Sequence, residues 1–182
     1  MSTWSEPISH VWAVAEQANA TNMNQYHAAN INATMHHIVR KMASEPLVAS
    51  STLQNDDHLK FPVNANSTWY VWLCLMWHQT ANAALKVALT FPSGTITFGR
   101  TGLDAGAASL RTDVTSSGTP FTAYAPTSGG AYPDTSGVVF ADGIIDMGAT
   151  PGIVQVQWAQ NSATGTTTLH PGCCLIAQRI NP

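Results

Sequence analysis

Charge is what this chain has least of. Lys and Arg number 7 and Asp and Glu 10, so charged residues are 9% of 182, against about 25% in an ordinary soluble domain. A monomer standing alone in water covers itself with charge. A chain that is 45% hydrophobic with so little charge is expected to hide surface against copies of itself or a larger assembly. The net charge of −3 gives no basic footprint, so nucleic acid is not an expected partner. The longest apolar run, Trp69 to Trp77, is far too short to span a bilayer, so a membrane is not expected either. Met1–Pro7 lacks the basic start and apolar core of a secretory signal. The three cysteines, Cys74, Cys173 and Cys174, form no disulfide framework and suit a reducing compartment. CxxC pairs, zinc-type Cys/His spacings and phosphate-binding loops are missing, so neither a metal nor a cofactor is expected.

What the chain does have changes along its length. Residues 1–20 show no clean period and read as an extended arm anchored by Trp4 and Trp12. Thr21 or Asn22 is a plausible N-cap. Beyond it Ala28, Ile31, Met35, Ile38 and Met42 step by alternating threes and fours, the seam of a heptad. Arg40 and Lys41 then complement the helix dipole in the last turn, and Pro46 marks the end. The reading is one α-helix over 21–46, packed either on the chain's own β domain or against symmetry mates. Its expected interface residues are Ile31, Met35, Ile38 and Met42.

From Leu47 to Pro182 β-branched, aromatic and hydroxyl residues dominate, broken by Gly and Pro. That texture predicts an antiparallel β-sandwich, jelly-roll-like, with strands at 59–63, 68–78, 84–91, 95–100, 138–146, 153–160 and 173–180. Residues 101–137 read as long loops with short strands near 109–115 and 121–124. The 84–91 and 153–160 segments alternate as half-buried strands do. The 68–78 segment is apolar on both faces: Trp69, Val71, Leu73, Leu75 and Trp77 on one, Tyr70, Trp72, Cys74 and Met76 on the other. A sandwich buries one face, so the other must meet the helix or a second subunit. Trp69, Trp72 and Trp77 therefore join the arm tryptophans and the helix seam as candidate oligomer or attachment residues.

Candidate chemistry is weak, and the chain is not expected to be an enzyme. Ile144–Ala149 resembles the active-site turn of retroviral-type aspartic proteases, but Met147 stands where that family has the hydroxyl residue that locks the paired loops. Such a site needs two carboxylates sharing a proton; a strand ending in a Gly turn is the simpler reading. Ser128-Gly129-Gly130 lacks the surroundings of a nucleophile elbow and reads as a turn. His36-His37 are adjacent, whereas two ligands on one helix sit three or four apart. Asn55-Asp56-Asp57 lacks the remaining ligands of a calcium loop and reads as a polar turn. The tryptophans could stack on sugar rings, but inside a strand they more often pack a core. The sequons at Asn19, Asn32 and Asn66 carry no weight without a secretory signal.

Two stretches resemble small structural proteins of tailed-bacteriophage virions, above all those of phages of actinobacteria. The first runs from Val11 to Val39, with Trp12, Ala15-Glu16 and Ala20-Thr21-Asn22-Met23-Asn24 ahead of a helical pattern. His27-Ala28-Ala29-Asn30 stands where that pattern often continues with Arg-Asp-Asn. The second runs from Ser51 through Asp56-Asp57, Leu59 and Val63-Asn64-Ala65-Asn66-Ser67-Thr68-Trp69-Tyr70 to Leu85-Lys86-Val87-Ala88 and Pro92-Ser93-Gly94. The resemblance implies an N-terminal attachment helix and a β-sandwich, often trimeric, in capsid decorations, head fibres or minor tail parts. The expected location is the virion, assembled in the host cytoplasm. Its partners would be the chain itself, as a trimer, and the major capsid protein or other virion proteins. The alternative is a minor tail or tail-fibre protein bound to a host-surface receptor such as a glycan; a virion-associated hydrolase is the distant one.

Overall fold

A computed structural model describes residues 36–81, 83–101, 103–104, 107–108, 111–114, 116–123 and 135–180. Among them the regular structure is all strand: β1 (His36–Arg40), β2 (Glu45–Val48), β3 (Gln54–Val63), β4 (Thr68–Gln79), β5 (Leu85–Thr90), β6 (Gly94–Thr101), β7 (Leu103–Asp104), β8 (Ala107–Ala108), β9 (Arg111–Val114), β10 (Phe121–Ala123), β11 (Thr135–Met147), β12 (Gly152–Gln160), β13 (Thr166–Leu169) and β14 (Cys174–Arg179). Every pairing between these strands is antiparallel.

The smaller sheet has the order β10-β5-β12-β3, and the larger runs β1-β14-β4-β11-β6-β9. Take the eight strands β3, β4, β5, β6, β9, β10, β11 and β12 in chain order. One sheet then holds the first, eighth, third and sixth, and the other the second, seventh, fourth and fifth. That interleaving is the double Greek key of a jelly roll. The larger sheet is widened beyond it. β14 and β13 share the free edge of β4, β1 pairs outside β14, and β2 pairs outside β13.

The core lies between the sheets. β4 contributes Trp69, Val71, Leu73, Leu75 and Trp77; β3 gives Leu59, Phe61 and Val63; β5 gives Leu85, Val87 and Leu89; β12 gives Val154, Val156 and Trp158, all buried. Alternate residues point inward because successive side chains of a strand leave on opposite faces. Truncating one of the buried tryptophans to Ala would cost about 3–5 kcal/mol. Two glycines mark close backbone approaches. Gly94 opens β6 at φ +125, and a Cβ there would stand 2.0 Å from the Asp146 carbonyl oxygen. A Cβ on Gly143 would stand 2.1 Å from that of Thr97, so only glycine lets β11 lie flat against β6.

The sandwich expected from the sequence is therefore present, but the helix over 21–46 is not seen among the described residues. His36–Arg40 is β1, paired with β14, and Glu45–Val48 is β2, paired with β13. Ile38 and Val39 are consecutive β-branched residues whose side chains leave on opposite faces, and the ladder offered by β14 overrides the weak helical spacing. The β domain thus takes in residues ahead of the expected start at 47. Residues 21–35, with Ile31 and Met35, and the arm 1–20, with Trp4 and Trp12, lie outside the described residues. Trp69 and Trp77, expected at an interface, are core residues at 2% and 1% exposure.

Candidate interaction face and a buried lysine–carboxylate cluster

The outer face of the larger sheet is built from strand register. Ile38 of β1 lies opposite Ile176 of β14, which lies opposite Trp72 of β4, which lies opposite Asp142 of β11. One row along, Cys174 faces Cys74, and Cys74 faces Phe140; further on, Met76 faces Val138. Ile38 is 73% exposed, Val138 52% and Phe140 43%. Trp72 stacks on Phe140 with ring centroids 5.7 Å apart at 28°. Met42, just past β1, is exposed as well. Of the expected interface residues that fall within the described structure, this face thus gathers Ile38 and Trp72. Polar residues flank this apolar stretch: His36, Gln178 and Tyr70 form the next row on one side, Arg40 lies opposite Cys174, and Asp142 ends the Trp72 row. The Tyr70 hydroxyl donates to Asp142 Oδ2 at 3.1 Å, and burial, then this carboxylate, raises the phenol. Burial and the neighbouring Cys174 push the Cys74 thiol up to about 11, so it stays protonated and a poor nucleophile.

A second feature lies where β1 ends. The Lys41 amide donates to the Cys173 carbonyl at 2.8 Å, and the Gly172 amide donates to the Lys41 carbonyl at 3.1 Å, which fixes the turn and sends the side chain inward. Lys41 and Asp56 are both 0% exposed. Lys41 Nζ donates to Asp56 Oδ2 at 2.6 Å and to Glu45 Oε2. Asp56 Oδ1 accepts from the amides of His58 at 2.9 Å and Leu59 at 2.8 Å. Gln54 Nε2 holds the other Glu45 oxygen at 2.9 Å. Burial by itself would lower the Lys41 ammonium. The hydrogen bonds and charges of Asp56 and Glu45 outweigh that and hold it above its ordinary value. Paired, the buried charges are tolerable; with one partner gone, the other would be an uncompensated buried ion.

The remaining sequence candidates fall apart or change meaning. Asp146 is exposed and accepts from Thr68 Oγ1 at 2.7 Å. His36 is exposed, while His37 turns inward against Phe61 at 5.5 Å and Trp69 at 5.4 Å, and burial lowers it. Asp56, read as part of a polar turn, is the anion of the buried cluster. Ser128–Gly130 lies outside the described residues. Among the described residues no group of three His, Cys, Asp or Glu side chains is placed to hold a metal. Sequence reasoning missed Phe140, Val138 and Ile176 as face residues, although their alternation was legible. It also missed Lys41, Glu45 and Asp56, whose meeting no sequence spacing announces.

No family model matches the chain, and no curated protein matches it. Solved structures from infectious bursal disease virus do. The VP2 subviral particle is 12% identical over 82% of this chain and 42% of that one, with a TM-score of 0.23. The Gx strain structure is 14% identical over 80% and 39%, with a TM-score of 0.20. The chain thus spans about two fifths of the length of these structures. At scores of this size, the fold of this chain rests on its own strand pairing.

Proposed function

We propose that the chain is a structural protein of a virus particle, of the capsid-decoration or head-fibre kind, and that copies of it meet through the outer face of the larger sheet. The observation that carries this reading is that face: Ile38, Ile176, Trp72, Phe140 and Val138 adjoin across β1, β14, β4 and β11, and Ile38, Val138 and Phe140 among them stand exposed. An apolar patch of that kind marks an interaction site. The occupant is a second copy of the same chain, because charge is scarce over the whole sequence and not only here. Such a surface composition suits a protein kept in a homo-oligomer, and three copies are the expected number. Viral capsid proteins are among the established users of the jelly roll. The stretch resembling phage structural proteins, 51–94, falls on β3, β4 and β5, which contribute to both sheets. Residues 1–35 are assigned to attachment on the major capsid protein or another virion component.

Light scattering on the size-exclusion peak tests the assembly. The parent should elute as an oligomer, and Phe140→Lys should weaken association by about thirtyfold or more, since a central aromatic anchor is worth at least 2 kcal/mol, while costing the isolated subunit only about 1 kcal/mol for the lost stack on Trp72. A parent that is monomeric at micromolar concentration refutes it. So does a monomer in which residues 1–35 protect the face from hydrogen exchange. The virion role is tested by counting copies per purified particle: many copies bound to isolated capsids support it. A few copies at the tail point to the receptor-binding alternative.

A further inference from the structure

The Lys41 cluster holds more than an ion pair requires. An amine, a carboxyl carbon, a second carboxylate touching the same amine and a pair of backbone amides on one carboxyl oxygen are gathered around the fully buried Lys41 and Asp56. We propose that the cluster condenses with itself: Lys41 Nζ forms an amide with Asp56 Cγ, with Glu45 carrying the proton, and the chain thereby acquires an internal covalent cross-link between the end of β1 and β3.

The geometry gives each atom a part. Lys41 starts as an ammonium and Asp56 as a carboxylate. One proton moves from Nζ to Asp56 Oδ2 along the 2.6 Å hydrogen bond they already share, leaving a neutral amine and a carboxylic acid. The nitrogen lone pair attacks Cγ, the C–N bond forms, and negative charge builds on Oδ1. That oxygen is the one held by the His58 and Leu59 amides at 2.9 and 2.8 Å. Two fixed donors aimed at a developing oxyanion are the arrangement that stabilises such an adduct. Nζ, now positively charged, passes a proton to Glu45 Oε2, its other contact. Glu45 delivers it to the Oδ2 hydroxyl, the C–O bond breaks, and water leaves. Nitrogen goes from three protons to one, the two lost protons depart in the water, and Glu45 ends as the carboxylate it began as. No oxidant or further reactant is needed.

Asp56 rather than Glu45 is the electrophile for a structural reason. Glu45 is partly exposed, and its second oxygen is held by one side-chain donor, Gln54. Asp56 is fully buried and carries the two-amide cradle. Holding the reacting groups in contact removes most of the entropic barrier. The product replaces two buried charges by a neutral amide, which relieves their desolvation.

The test is the intact mass of the purified full chain after incubation just below its melting temperature. The parent should be lighter than its sequence by one water. Trypsin should fail to cut after Lys41 and release a single looped peptide, Lys41–Lys60. Fragmentation should yield no backbone ions between positions 46 and 55, which lie inside a loop closed at Asp56. Asp56→Ala and Glu45→Gln should each show the full mass and restore cleavage after Lys41. A parent at full mass overturns the proposal, whatever the variants do. A link mapped to Glu45 overturns the assignment of Asp56, and a cross-linked Glu45→Gln overturns the proton carrier.

Discussion

Replacing Lys41 by Met isolates the energetic role of the buried cation. Methionine is of similar length, so the volume under β1 stays filled, while Asp56 is left fully buried with no counter-charge. The right reference is Glu45→Gln, which keeps the Lys41–Asp56 pair but, on our proposal, forms no amide. Against it, breaking a buried pair by removing one partner should cost about 3–5 kcal/mol. For a chain of this size each kcal/mol moves the midpoint by about 2–4 °C, so Lys41→Met should melt roughly 6–20 °C lower. Asp56→Asn on top of it removes the orphan charge but keeps an oxygen for the His58 and Leu59 amides. That double variant should recover more than half of the loss. Urea unfolding followed by tryptophan fluorescence measures all three. If Lys41→Met lies within about 1 kcal/mol of the reference, the reasoning fails, because Asp56 is then not desolvated in the way its burial requires.

Two further outcomes follow from the same strands. His37 is held below its ordinary value by burial against Phe61 and Trp69. The unfolded chain therefore binds its proton more readily, and stability should be full above about pH 6.5 and decline as pH falls below it; His37→Leu should flatten the melting-temperature slope between pH 7.5 and 5, and equal slopes would contradict this. Deleting residues 1–35 should leave cooperative melting intact, whereas deleting 1–46 removes β1 and Lys41 and should abolish it, as differential scanning calorimetry would show; two deletions that melt alike would place β1 outside the folded unit.

Much of the sandwich was legible because strand alternation is a local signal. The 68–78 strand is observed at Thr68–Gln79, and the 153–160 strand at Gly152–Gln160. The doubly apolar pattern of β4 corresponds to one face in the core and one on the outside of the larger sheet. Legibility failed where the deciding partner is distant. His36–Arg40 is too short for a period of 2 to be told from one of 3.5, and what makes it a strand is β14, at the other end of the chain. β13 was missed because Thr166–Leu169 carries a single large apolar residue and pairs with only the last three residues of β4. The expected interface tryptophans divided according to parity: Trp69 and Trp77 sit on the odd, inward face, and Trp72 on the even, outward one. The lysine cluster was illegible for another reason. Lys41 reads as a helix-end cation and Asp56 as a turn residue, and only the folding of β3 beneath β1 brings them together.

The position of β4 has a cost during synthesis. Its three partner strands, β11 on one edge and β14 and β13 on the other, all come from the last third of the chain. A ribosome will therefore have released a twelve-residue segment, TWYVWLCLMWHQ, well before anything exists to pair with either edge. Contacts so far apart in sequence close slowly, and an uncharged, Pro-free run rich in β-formers is the kind that aggregates while it waits. The yield of this protein in a cell should therefore respond to translation speed and chaperone supply as well as to the finished fold's stability.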